Sequence, residues 1–266
     1  MLPDPAGNAA PEPVVSEDAA ISQPVFAEEV PPSPPPEPFW NYSDLLVLVG
    51  FIAAGFVAMG LIAAIAELIS PALRKNPLPL ALPLQIVFYV LIYLGFVAVF
   101  RLRYNRPALE SLGWRVSNFN PILAGVSGAI LAVLLSVLGQ LLRTPENNLM
   151  DKLVTSWMSF ILFAITAVLI APLFEELLFR GFLQPLLSRT FGLVTGVLLT
   201  SALFGSLHLF QYSLAWQYAL IIFLAGVAFG WVRARTRSVV PGTLMHCCFN
   251  SVSVFGYLIT SHFKFK

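Results

Sequence analysis

Charge is what this sequence has least of. Of its 266 residues, 11% are Asp, Glu, Lys or Arg and 58% are hydrophobic, whereas a soluble domain carries about a quarter charged residues. Cysteine is nearly absent as well. Cys247 and Cys248 are the only two and are neighbours in sequence. On a helix they point about a third of a turn apart, which disfavours a disulfide and leaves no cysteine metal site. Lys and Arg are missing altogether from residues 1–44, which hold eight acids and eleven of the 21 prolines. Such a stretch buries too little apolar surface to offset the entropy of folding, and it reads as a disordered tail, partly polyproline II. It has neither the basic start nor the apolar core of a signal peptide. The net charge of +1 averages two unlike regions and identifies no partner; a nucleic acid is not expected.

Long apolar runs fill the rest. A bilayer core about 30 Å thick needs roughly 20 apolar residues in a helix. Residues 45–70 contain one charge, Glu67, near their end, where it snorkels or caps. Residues 81–100, 119–142 and 153–174 contain none, and 238–263 lack Lys, Arg, Asp and Glu. Residues 190–232 have His208 as their only ionisable group and are long enough for two spans turning near Gln211-Tyr212-Ser213. The expected fold is therefore an all-α polytopic transmembrane bundle. It has seven spans, or eight if 153–188 divides at Pro172. The runs are too long, and lack the period-2 alternation, for a barrel. The chain divides into the tail (1–44), a first group of transmembrane helices (45–142) and a C-terminal transmembrane region (150–262).

Orientation follows from Lys and Arg in short loops. With seven spans, Arg101, Arg103, Arg106, Arg115, Arg189, Arg233, Arg235 and Arg237 fall on one side, expected to be cytoplasmic together with the N-terminal tail. Arg74, Lys75, Arg143 and Lys152 fall on the other, with Lys264 and Lys266. The expected location is the plasma membrane, as a multi-pass protein in contact with the bilayer.

Ionisable groups inside a membrane cost about 2.5–3.5 kcal/mol each on insertion scales, so those present need a reason. Three groups stand out: Phe174-Glu175-Glu176-Leu177-Leu178-Phe179-Arg180, Phe204-Gly205-Ser206-Leu207-His208, and His246-Cys247-Cys248-Phe249-Asn250. Residues four apart share a helix face, so Glu176 stands beside Arg180 as a structural pair. Glu175 is turned about 100° away and is free for another neighbour. His246 and Asn250 share a face in the same manner. Taken singly, each of these groups reads as a buried helix–helix hydrogen bond. Taken together, two of three histidines and an otherwise unpaired carboxylate read as one site. A turn near Thr190 would bring Glu175 and His208 to similar depth, with His246 and Asn250 somewhat shallower. His262, near the end of the last run, reads as interfacial.

In this order the three groups resemble the signatures of the CAAX prenyl endopeptidase and bacteriocin-processing family of intramembrane peptidases: Glu175-Glu176-x-x-x-Arg180, Phe204-x-x-x-His208 and His246-x-x-x-Asn250. The resemblance covers roughly residues 150–260. It implies peptide-bond hydrolysis in which Glu175 is the general base for a water held between it and His208. It further implies that Glu176 and Arg180 support the helix, and that His246 and Asn250 donate to the oxyanion. A carboxylate base is tuned by apolar surroundings, and neutral donors suit oxyanions. A zinc alternative would use Glu175, His208 and His246 around an open position, but no His-Glu-x-x-His pair occurs and the metal-free glutamate mechanism is preferred. The implied partner is a peptide or protein substrate, prenylated or membrane-associated. Two other classes compete with this reading. A transporter would show internal repeats, and none is seen. A non-catalytic scaffold or bacteriocin-immunity protein of the same fold would tolerate the loss of Glu175.

Overall fold

A computed structural model describes residues 38–75, 78–116, 119–146 and 149–260. The acidic stretch up to residue 37 and the C-terminal His262, Lys264 and Lys266 lie outside the described residues. The described residues form helices joined by short connections, with no strand among them. The long helices are α1 (Tyr42–Ile69), α2 (Pro79–Arg103), α3 (Pro121–Leu141), α4 (Trp157–Phe191), α5 (Leu193–Leu207), α6 (Trp216–Thr236) and α7 (Val240–Thr260). All but α5 are long and apolar enough to cross a membrane.

Three of these helices start at a side-chain cap. Asn41 and Asp44 close a capping box on α1, Asn120 caps α3 ahead of Pro121, and Ser156 with Ser159 caps the first turn of α4. These side chains satisfy the amides that begin a helix without carbonyl partners. Asp44, expected in the tail, is instead fully buried within the first turn of α1. It accepts from Arg103 Nη1 at 2.5 Å and from the Tyr104 hydroxyl at 2.6 Å, which ties the start of α1 to the end of α2. Burial and the Asp44 carboxylate push the Tyr104 phenol above its ordinary range, so it stays a donor.

The segment leading into α1 is held equally firmly. Trp40 donates from its indole to the Phe182 carbonyl at 3.1 Å, and Arg189 donates to the Pro38 carbonyl at 2.6 Å. A cluster of aromatic rings (Trp40, Phe96, Phe100, Phe182) fills the space between α1, α2 and α4.

Two features refine the reading by apolar runs, and among the described residues six helices, rather than seven or eight, are long enough to span. Residues 157–191 form one helix of 35 residues, the undivided alternative. At ~1.5 Å per residue it is ~52 Å long, well beyond a bilayer core. Pro172 does not divide it, because a wide π-helical turn over Thr166–Ile170 comes just before the proline and absorbs the loss of its N–H. Helix α5, with 15 residues, is only ~22 Å long and ends partway through the bundle. The turn after it spans residues 208–214, with Ser213 and Leu214 at positive φ. That is the place the sequence indicated.

The connections alternate in direction, so the arginine-bearing loops gather at one end of the bundle. There Ser238 Oγ donates to the Arg115 carbonyl and the Val239 amide donates to the Gly113 carbonyl. The opposite end carries Arg74, Arg143 and Lys152. It is tied by Tyr218 donating to the Pro145 carbonyl and Tyr257 donating to Asp151.

Candidate active site

Mid-length in α4 the helix widens again, over Leu177–Leu183. Single π-type turns inside α-helices are frequent at functional sites. Glu176 stands just before this stretch and Arg180 within it, both with no side-chain exposure, and Arg180 Nη1 meets Glu176 Oε1 at 2.9 Å. Arg180 also donates through Nη2 to the Gly226 carbonyl at 3.1 Å and lies over the ring of Phe204 at 4.5 Å. The pair expected from the i,i+4 spacing is therefore present and sealed inside the bundle. It carries no net charge, which is the condition for tolerating two ions away from water.

Helix α7 brings His246 against both glutamates. Its Nδ1 lies 3.2 Å from Glu176 Oε1 and its Nε2 lies 3.8 Å from Glu175 Oε2. An ionised carboxylate only accepts, so Nδ1 carries the proton and Nε2 is the nitrogen that faces Glu175. Gly242, one helical turn earlier, makes room for this contact: a Cβ there would stand 3.2 Å from Glu176 Oε2. The Phe229 ring stacks on the imidazole at 4.6 Å and holds its plane. The sequence placed His246 shallower than Glu175. The structure puts them side by side.

His208 caps the end of α5. Its Nδ1 lies 2.8 Å from the Phe204 carbonyl one turn back. A carbonyl only accepts, so here too Nδ1 carries the proton and the lone pair is on Nε2. Asn250, one turn beyond His246, donates from Nδ2 to the Ala167 carbonyl at 2.8 Å. That carbonyl belongs to the first wide turn of α4, where the backbone pattern is altered. The Asn250 amide thus has one hydrogen bond assigned, with a second N–H and its oxygen remaining.

Glu175, His208, His246 and Asn250 all line one cavity of about 210 Å³ between α4, α5, α6 and α7. Its walls mix apolar side chains such as Phe163, Phe204 and Phe229 with a few polar groups, the usual makeup of a ligand site. The cavity runs from Glu175 towards Met150, Gln211 and Tyr212, at the end away from the arginine loops. Glu175 retains 17% side-chain exposure while Glu176 retains none, so the cavity reaches only the first acid.

The zinc alternative would draw on Glu175, His208 and His246. Committed Nδ1 atoms with Nε2 open are compatible with metal ligation. Even so, among the described residues no group of three or more His, Cys, Asp or Glu side chains is arranged to hold a metal ion.

Two polar contributors escaped the sequence reading. Tyr89 and Gln85 lie on α2, far from the three motifs, and Tyr89 donates to Glu175 Oε1 at 3.1 Å. A single Tyr and Gln in an apolar run carry no spacing signal, so only the three-dimensional packing reveals them.

Residues 156–252 match the family model described as type II CAAX prenyl endopeptidase Rce1-like. No curated protein and no solved structure matches the chain.

Proposed function

We propose that this chain, whose residues 156–252 match the type II CAAX prenyl endopeptidase Rce1-like model, hydrolyses a peptide bond inside the membrane by a glutamate-activated water. The observation that supports this most directly is the meeting of Glu175 and His246 at 3.8 Å in a cavity also lined by His208 and Asn250.

Each side chain has a role that its surroundings suit. Glu175 takes a proton from a water molecule through Oε2, the oxygen that faces His246. His208 presents the Nε2 lone pair and accepts that water's other hydrogen, which fixes the direction of attack. The water oxygen bonds to the peptide carbonyl carbon and the carbonyl oxygen becomes an oxyanion. Asn250 donates its remaining N–H to that oxygen. His246, held in place by Glu176, is the second donor to that oxygen. Collapse breaks the C–N bond, and the proton held by Glu175 passes to the leaving amine. Arg180 balances Glu176 and takes no part in the proton transfers.

The substrate we propose is a peptide or protein segment at the membrane, prenylated or otherwise lipid-associated, in keeping with the family. The multi-pass fold places the cavity among membrane-spanning helices, so a segment anchored in the bilayer reaches it without leaving the lipid phase.

The test uses purified protein in proteoliposomes and a panel of farnesylated CAAX peptides with unprenylated counterparts. Wild type cleaves at least one of them and continues to do so in the presence of a chelator. Glu175→Gln, which keeps volume but cannot take a proton, is well folded and inactive. Wild-type turnover by Glu175→Gln, or no cleavage by wild type, favours a non-catalytic scaffold instead.

A further inference from the structure

We propose that Tyr89, on α2, is a positioning residue for Glu175, and that Gln85 acts through it. This rests on the reading of Glu175 as the base, but Tyr89 and Gln85 lie outside residues 156–252, beyond the reach of the family match.

Three contacts define the arrangement. The Tyr89 hydroxyl donates to Glu175 Oε1 at 3.1 Å, and Gln85 Nε2 donates to the same hydroxyl at 3.0 Å. The Tyr89 ring lies flat against Phe174, the residue before Glu175, with centroids 5.2 Å apart and planes within 4°. Only 7% of Tyr89 is exposed, so solvent does not compete for its proton.

The order of donation matters. A phenol has one proton to give, and its oxygen can accept from elsewhere. Because the Gln85 amide donates to it, the Tyr89 proton is directed onto Glu175. That hydrogen bond ties Oε1 and stops the carboxylate from rotating about its last torsion, which is otherwise broad and nearly two-fold. Oε2 is left as the oxygen that faces His246 Nε2. A helix with no motif residue therefore decides which oxygen of the base meets water: α2 supplies the hydroxyl, and its packing against α4 sets its height.

A buried tyrosine also needs a hydrogen-bond partner for reasons of stability alone. The two roles separate experimentally. Tyr89→Phe keeps the ring and its stack on Phe174 and removes only the hydroxyl. With a peptide that wild type cleaves, a positioning role predicts a fall in kcat of roughly tenfold or more, since small misplacements of a reacting group are costly, with KM within about twofold. Gln85→Ala should lower kcat in the wild-type background and add little in the Tyr89→Phe background, because it acts through the missing hydroxyl. Unchanged kcat in Tyr89→Phe overturns the proposal, as does a full additional loss from Gln85→Ala.

A second measurement needs no substrate. The infrared difference spectrum of wild type minus Glu175→Gln isolates the Glu175 carboxyl band. The same difference taken in the Tyr89→Phe background should show that band moved, because a hydrogen bond to one oxygen polarises the group. A band at the wild-type position overturns the inference. If no peptide is cleaved, that result counts against the proposed activity, and the infrared comparison still decides the role of Tyr89.

Discussion

At Arg180 a full guanidinium charge is taken out of solvent, and three kinds of partner share it. Glu176 supplies the opposing charge, the Gly226 carbonyl accepts a hydrogen bond, and the faces of Phe204 and Phe229 lie at 4.5 and 5.5 Å. Removing one member of such a pair leaves the other charge buried and unbalanced, at a cost of about 3–5 kcal/mol. Arg180→Ala is expected to lower the thermal unfolding temperature in detergent sharply, and an unchanged melting curve would show that the pair is not sealed. This pair was legible in the sequence because its i,i+4 spacing falls within one helix. The bridge made by His246 between Glu175 and Glu176 was not, because 70 residues separate Glu176 from His246 and no local rule sets the rotation of α7 against α4. The same reason hid the bond from Asn250 to the Ala167 carbonyl. It lands on a widened turn, and sequence periodicity does not show where an α-helix relaxes into a π turn.

Between α4 and α6 the contacts repeat with one spacing. Arg180 reaches the carbonyl of Gly226 and Gln184 that of Gly230, each pair 46 residues apart, so the two helices run parallel in a fixed register. The absence of a side chain at Gly226 and Gly230 is what lets them approach. A Cβ at position 230 would stand 2.9 Å from Gln184 Oε1 and 3.0 Å from Val197 Cγ1, while one at position 50 on α1 meets nothing within 4 Å. Small residues four apart serve this purpose in membrane helices generally. Gly230→Ala should therefore destabilise the bundle by about 1–3 kcal/mol through overpacking, and Gly50→Ala should leave its melting temperature unchanged. Equal behaviour of the two variants would contradict the register. The positions of the helices themselves were readable from hydropathy, since every apolar run became a helix. Their lengths were less so. Helix α4 outruns a bilayer because both of its wide turns stay continuous, and α5 stops short because His208 caps it against the Phe204 carbonyl.

Across the whole molecule the arginine loops and the cavity lie towards opposite ends. The loops with Arg101, Arg103, Arg106, Arg115, Arg233, Arg235 and Arg237 meet one another at one end, and we propose that this end faces the cytoplasm. Single cysteines placed in the 103–106 and 235–237 loops, in a background lacking Cys247 and Cys248, should react with an impermeant reagent only from the cytoplasmic side. Labelling of either loop from outside reverses the orientation. The cavity runs the other way, towards Gln211 and Tyr212. What unites the two ends is α4, whose middle carries Glu175 while its last turns anchor Trp40 and Pro38. The central claim is that side chains from separate helices act as one hydrolytic unit in this cavity. Groups that act as a unit lose function together rather than in proportion. The measurement that tests this most directly is kcat, on a peptide that wild type cleaves, for wild type, Glu175→Gln, His208→Ala and the double variant. The account predicts two inactive single variants and a double variant scarcely worse than either. Full turnover by Glu175→Gln, or two partial losses that multiply in the double variant, would contradict it.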